Sequence, residues 1–192
     1  GKFSKSQRRG VFCENLSTAG IPRDALRAAL IPLIPETADT EFKWAEFQQS
    51  INAHLVGNFG NFVNRTVSFT KNKLSGEVKR PSQDYEVDTG LRIILAEKTE
   101  SIGKFIEGGE IRKAYNEFLT LSSAGNKYFE DTKPWAVVKD TPQRAEEILY
   151  NCVGLCRSLA ILSAPFLPDT PQRIWYQLGL EGKADALGNW DS

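Results

Sequence analysis

The sequence is poor in the residues that metal sites and general-base chemistry use most often. Histidine occurs once in 192 residues, at His54, so any site that needs two histidines is excluded from this chain. Cysteine occurs three times, and Cys152 and Cys156 stand four apart in an apolar stretch. Two cysteines without two further ligands are weak evidence for zinc, so we interpret them as buried thiols on one helix face and predict no metal site. This cysteine usage fits a reducing, cytoplasmic compartment.

Long apolar runs and phosphate-binding motifs are also missing. No stretch of about 18 apolar residues occurs, so we expect no membrane partner, and the first residues lack the apolar segment of a secretory signal. Neither GxGxxG nor GxxxxGK(S/T) is found. The 24 basic and 24 acidic residues cancel, which argues against a protein that coats DNA or another polyanion. A local contact with RNA remains compatible with this balance.

Apolar residues recur every three or four positions along most of the chain, a pattern that predicts an all-α helical bundle. The longest predicted helix runs from about 41 to about 71 and contains Gly57 and Gly60. We interpret these glycines as sites of close packing between helices in preference to the alternative, access to the backbone. Further helices are predicted over 89–107, 110–131, 141–165 and within 165–180. The segment 132–142 is predicted to be a loop.

A polar stripe runs along the long predicted helix. His54, Asn58, Asn61 and Arg65 follow in steps of four, three and four, beside the apolar stripe rather than opposite it. Asparagine offers a donor and an acceptor, and arginine a planar fork of donors, which suit the edges and phosphates of splayed RNA bases. The pattern alone favours the alternative, a solvated flank that caps a neighbouring helix.

The sequence contains four tryptophans. Trp44 and Trp175 lie within helical patterns and are predicted to be core residues, whereas Trp190 is uninformative. Trp135 follows Pro134 in the predicted loop. It either anchors the loop to the bundle, which the pattern favours, or offers a flat face on which an unpaired base stacks.

The chain opens with GKFSKSQRRG, which holds four basic and no acidic residues, so the remainder carries a net charge of −4. KFSKS at residues 2–6 resembles the KMSKS loop of class I aminoacyl-tRNA synthetases, with Phe3 in place of methionine. GNFGNFVNRTVSF (57–69), DTKPWAVVK (131–139) and PFLPDTPQRIWYQLG (165–179) resemble the anticodon-binding domain of methionyl-tRNA synthetases, in that family's order. The resemblance covers nearly the whole chain.

The resemblance implies a division of the chain and a function for each part. Residues 1–36 would be the end of a catalytic domain, and residues 37–192 an α-helical anticodon-binding domain. The implied ATP-binding loop consists of Lys2, Phe3, Ser4, Lys5 and Ser6. In the family the second lysine of this loop, here Lys5, is catalytic and stabilises the phosphates of Mg²⁺-bound ATP while methionine is activated.

For RNA, the resemblance implies that Asn61, Arg65 and Trp135 read the CAU anticodon of tRNA(Met). The partners would be tRNA(Met) and, for the full-length enzyme, ATP and methionine. The family's HIGH motif needs two histidines, which this chain does not have, and QRRG follows KFSKS where the family often has RGN. We therefore expect a fragment of a methionine–tRNA ligase that is inactive alone.

Two alternatives stay open. The chain is a freestanding, non-catalytic RNA-binding or docking module, or it is the anticodon domain of a related class I synthetase for leucine, isoleucine or valine. Asn61, Arg65 and Trp135 together favour methionine.

Overall fold

The computed structural model describes residue 18 and residues 20–35, 40–83 and 85–184. Within these ranges the chain is helical and has no strand, as the periodicity predicts. The helices in chain order are α1 Arg23–Leu30, α2 Trp44–Ser50, α3 Asn61–Lys73, α4 Glu86–Glu107, α5 Ile111–Thr132, α6 Pro134–Asp140, α7 Pro142–Ser163 and α8 Thr170–Gln177. A 3₁₀ turn, Ile31–Leu33, follows α1, and a π-helix, Ile51–Gly60, joins α2 to α3 into one long rod. No helix among the described residues is long and apolar enough to cross a bilayer.

The interior of the bundle lies between α3, α4, α5 and α7, where aromatic side chains interdigitate. Phe59 meets Phe118 edge-on at 5.0 Å between ring centroids, and Phe118 lies 5.9 Å from Phe166. Burial of this kind is the main favourable term in folding. Cys152 and Cys156 are fully buried in this core, which confirms the prediction of buried thiols, and burial raises the pKa of the Cys156 thiol to about 12.

Gly57 and Gly60 do not serve helix–helix packing, so that interpretation was wrong. Both lie in the π-helix, where a Cβ on Gly57 would stand 2.9 Å from the carbonyl oxygen of Asn52 in the preceding turn. A Cβ on Gly60 would stand 2.8 Å from that of Leu55. The close approach is therefore to the helix's own backbone.

Gly125, on α5, is the glycine that close packing requires. A Cβ there would lie 2.8 Å from Leu155 Cδ2 on α7 and 2.9 Å from Phe62 Cζ on α3. Three helices converge at this point, so the absent side chain sets how closely they approach.

Two other predictions need correction. Trp44 is not a core residue, because α2 extends beyond the bundle and leaves this residue 52% exposed, with its ring edge-on to Phe42 and Phe47. The segment 132–142 is not simply a loop, because α6 begins at Pro134, whose fixed φ suits a first helical turn. Trp175 is buried, as predicted.

Candidate nucleic-acid interface

The end of the bundle where α3, α5 and α6 meet brings two of the three predicted anticodon residues together. Arg65 lies in the second turn of α3, and Trp135 is the second residue of α6. The Cζ of Arg65 lies 5.6 Å from the centroid of the Trp135 ring. These residues are 70 positions apart in the sequence, so the fold, not local spacing, creates their contact.

Phe129, on α5, links the two. Its ring stacks on Trp135 at 5.9 Å between centroids with an interplanar angle of 27°, and Arg65 Cζ lies 4.5 Å from its centroid. A guanidinium over an aromatic face is attracted by the ring quadrupole. Arg65 Nη2 also lies 2.7 Å from Glu130 Oε1, an ion pair at the solvent edge. Arg65 is thus oriented by two rings and one carboxylate.

Trp135 is held at the surface rather than in the core. Lys133 adopts a left-handed backbone conformation, with φ of 44°, that ends α5 and turns the chain into α6. Pro134 is buried in the turn, whereas Trp135 remains 39% exposed. A ring that is fixed on Phe129 and partly solvated can accept a stacked base, and such stacks contribute about 1–3 kcal/mol per base.

Asn61 lies one helical turn before Arg65, in a polar seam between the long rod and α5. Its Nδ2 donates to Asn126 Oδ1 at 2.8 Å, and Asn126 Nδ2 in turn donates to the backbone oxygen of Asn58 at 2.9 Å. Asn58 Nδ2 donates to Ser123 Oγ at 3.0 Å. This chain of amides fixes the orientation of Asn61 beside the Arg65–Trp135 contact.

The predicted polar stripe is therefore only partly correct. Asn58, Asn61 and Arg65 share a face that is turned towards α5, whereas His54 is exposed and makes none of the seam's hydrogen bonds. The π-helix explains the difference, because its wider turn, with i to i+5 hydrogen bonds, takes His54 off the face that a regular α-helix would give it.

The sequence analysis missed the α5 half of this interface, which consists of Asn126, Phe129 and Glu130. A signal was present, since Ser122, Asn126 and Glu130 recur in steps of four beside the apolar stripe of a predicted helix. It repeats the pattern that singled out Asn58, Asn61 and Arg65 on the partner helix.

A buried ionic cluster holds α5 in place next to the interface. Both oxygens of Asp88, on α4, accept from Arg144 on α7 at 2.6 and 2.8 Å, and Tyr128 Oη donates to Asp88 Oδ1 at 2.7 Å. Burial raises the pKa of the Asp88 carboxyl, but the hydrogen bonds from Arg144 and Tyr128 outweigh it and lower that pKa overall. Tyr128 precedes Phe129, so this cluster helps to set where the Phe129 ring lies.

The implied ATP-binding loop, residues 2–6, lies outside the described residues. Among the residues that the structure describes, no group of three or more histidine, cysteine or acidic side chains is placed to hold a metal ion.

Two protein-family models match the chain. The model described as the anticodon binding domain of methionyl tRNA ligase matches residues 80–189, and the model for class I tRNA synthetases (M) matches residues 1–67. A curated methionine–tRNA ligase of Methanopyrus kandleri is 39% identical over 94% of this chain, and that of Borrelia duttonii is 38% identical over 90%. The chain spans only 26% and 23% of those two proteins' lengths.

Solved structures share the fold. A Mycobacterium tuberculosis methionyl-tRNA synthetase in complex with methionyl-adenylate superposes on 97% of this chain with a TM-score of 0.86, and the match covers 38% of that structure. At 24% sequence identity the likeness extends to the fold alone.

Proposed function

The chain belongs to the methionyl-tRNA synthetase family, and on that premise we propose that it recognises the anticodon of tRNA(Met) as part of a longer methionine–tRNA ligase. The observation that carries this proposal is the contact between Arg65 and Trp135 across Phe129, at a solvent-reachable edge. It combines a planar cation with an exposed ring, the two features that bind an unstacked base.

Each of the three residues has a distinct part in this proposal. The Trp135 ring stacks on one base of the CAU anticodon. Arg65 donates to a base edge or a neighbouring phosphate from its guanidinium fork. Asn61, whose Nδ2 is engaged by Asn126 at 2.8 Å, presents its amide oxygen as an acceptor. Because both its orientation and its donor are fixed, Asn61 contributes to base selection rather than to general affinity.

We propose that the N-terminal part acts in the full-length enzyme alone. There, Lys5 of the KFSKS loop would stabilise the phosphates of Mg²⁺-bound ATP while methionyl-adenylate forms, as a mobile cation that meets developing charge. The charged methionine would then be transferred to tRNA(Met). We place the boundary between the catalytic part and the anticodon-binding part near residue 36.

The experiment that tests the RNA proposal is a binding comparison with tRNA transcripts that differ only in the anticodon. We expect this chain to bind the CAU transcript more tightly than a transcript with one altered anticodon base, at the same salt concentration. Equal affinity for both transcripts would contradict anticodon recognition, because contacts to the RNA backbone do not distinguish one base from another.

A further inference from the structure

Helix α1 is fastened to the bundle by three charged side chains that all reach one turn, the connection between α7 and α8. Arg23, Asp24 and Arg27 contact residues 165–170, about 140 positions further along the chain. An apolar contact lies beside them, since Ala28 and Ile31 belong to the buried core and α1 also packs on the π-helix. The three charged side chains add directional contacts that apolar packing does not supply.

Asp24 caps α8 from a distance. Its side chain is buried, with 6% exposure, and its Oδ1 accepts from the backbone N–H of Asp169 at 3.0 Å. Its Oδ2 accepts from the backbone N–H of Thr170 at 2.6 Å and from the Thr170 hydroxyl. The first N–H groups of a helix have no partner within it, and a carboxylate there also meets the positive end of the helix dipole. A residue of α1 thus supplies the cap that α8 lacks locally.

Arg27 and Arg23 complete the attachment. Arg27 Nε donates to the carbonyl oxygen of Phe166 and its Nη2 to that of Pro165, each at 2.9 Å. Arg23 forms an ion pair with Asp169 at the surface. A fork that holds two successive carbonyls fixes rotation as well as distance, which one ion pair would not do.

We propose that Asp24 and Arg27 are positioning residues that lock α1 at one orientation relative to the end of the bundle where α3, α5 and α6 meet. The inference rests on the proposed function. It follows from where α1 lies in the chain, because the 16 residues 7–22 separate it from the KFSKS loop and the class I synthetase match runs through it from residue 1 to 67. An α1 that is held in this way fixes the point at which the chain enters the bundle.

This role predicts a specific split between the steps of the reaction. In the proposed full-length enzyme, methionyl-adenylate forms from methionine and ATP, so that step would not need the lock. Transfer to tRNA would need it, because the RNA would be held at the bundle while its far end reacts in the catalytic part. Misplacement of about 1 Å at a distance from the chemistry can cost about 100-fold in rate.

The first test uses this chain and hydrogen exchange. Asp24→Ala and Arg27→Met should each speed exchange at amides 26–34 while amides in α5 and α7 keep their wild-type rates. Lys98→Met is the matched control, because it removes an ion pair of 2.6 Å to Glu117 that lies wholly within the bundle. Unchanged exchange in α1 in both variants would overturn the proposal, whether or not the chain binds tRNA.

The second test uses the full-length enzyme with the same three variants. We expect kcat for tRNA charging to fall by about 10–100-fold in the Asp24 and Arg27 variants, with adenylate formation and the Kd for tRNA within about twofold of wild type. A fall no larger than in Lys98→Met, or a loss of adenylate formation and tRNA affinity in parallel, would overturn the positioning role. Failure of the wild-type chain to prefer CAU would instead contradict the proposed function. The hydrogen-exchange experiment would still test whether Asp24 and Arg27 hold α1 in place.

Discussion

At the scale of single residues, Trp135 separates an RNA-binding role from a packing role. Its ring stacks on Phe129 yet stays 39% exposed. We expect Trp135→Ala to weaken binding of the CAU transcript by about 1–3 kcal/mol, the contribution of one base stack. Trp135→Phe keeps a ring and should retain part of that affinity. Binding titrations and thermal unfolding on the same variants distinguish the two roles of Trp135. A lowered Tm with an intact CAU preference would identify it as a structural anchor instead.

Arg65 tests base discrimination. Arg65→Ala should cost a similar amount of binding free energy, about 1–3 kcal/mol, and should narrow the difference between CAU and altered anticodons. Arg65→Lys keeps the charge but loses the planar fork that lies over Phe129. Compared with Arg65→Ala, it should therefore recover more of the overall tRNA affinity than of the preference for CAU. Replacing Arg8 and Arg9 is the control, which should lower affinity for every anticodon alike, if at all. If both Arg65 variants kept the full preference for the CAU anticodon, Arg65 would not be one of the residues that recognise it.

Asp88 makes stability depend on pH. Asp88→Asn leaves Arg144 with only the longer ionic contact to Glu147, at 3.6 Å, so we expect the free energy of unfolding at pH 7 to fall by about 3–5 kcal/mol. Because the pKa of Asp88 is lowered on folding, its contribution is present above the unfolded value of about 3.9 and is lost as pH falls through the folded value. Urea unfolding of both proteins from pH 7 to pH 3 should therefore show the gap narrowing in acid. A constant gap would mean that the Asp88 charge does not stabilise the fold.

At the scale of elements, Gly125 and Gly103 form a matched pair of helical glycines. Gly125→Ala would place a methyl group 2.8 Å from Leu155 Cδ2, and overpacking of this kind costs about 1–3 kcal/mol. Gly103, in α4, has nothing within 4 Å of an added Cβ, so Gly103→Ala should stabilise by about 0.5–1 kcal/mol. Denaturant unfolding of the two variants measures both effects. Equal effects of the two substitutions would show that helix propensity, not packing, dominates at Gly125.

The sequence was sufficient to predict most of the helices, because amphipathic periodicity of 3.6 residues is a local property. It did not reveal the π-helix over residues 51–60, since hydrogen bonds to i−5 leave no distinct apolar pattern in so short a segment. The loop predicted around Trp135 contained α6, a helix of seven residues that depends on Lys133 and Pro134 for its start. Short elements of this kind are set by tertiary contacts more than by propensity.

The interface shows the same limit. Arg65 and Trp135 were predicted from the sequence, yet Phe129, which both contact, was not, because an aromatic residue on the apolar stripe of a helix is by default a core residue. Spacing along one helix cannot show which residue of another helix lies opposite. That information is carried by the packing of α3 against α5, which the fold supplies.

At the scale of the whole molecule, the described residues form an α-helical bundle in which α1 is joined to the rest by the Asp24 and Arg27 contacts. The match to the class I synthetase model ends at residue 67, within the long rod, and the anticodon-binding match begins at residue 80. The rod therefore belongs to both regions in sequence, and in space it packs on α5 and α7.

The final prediction concerns activity. This chain alone should not form methionyl-adenylate, because its single histidine cannot supply the two that the family's HIGH motif requires and its described residues contain no sheet on which a nucleotide could lie. ATP–pyrophosphate exchange with the purified chain should equal the background without enzyme, with and without methionine. The Lys5→Ala variant is the internal control, since any exchange that survives it comes from a contaminant rather than from the KFSKS loop. Methionine-dependent exchange that disappears in Lys5→Ala would instead show that these 192 residues hold a working adenylation site, and the proposed dependence on a longer enzyme would have to be abandoned.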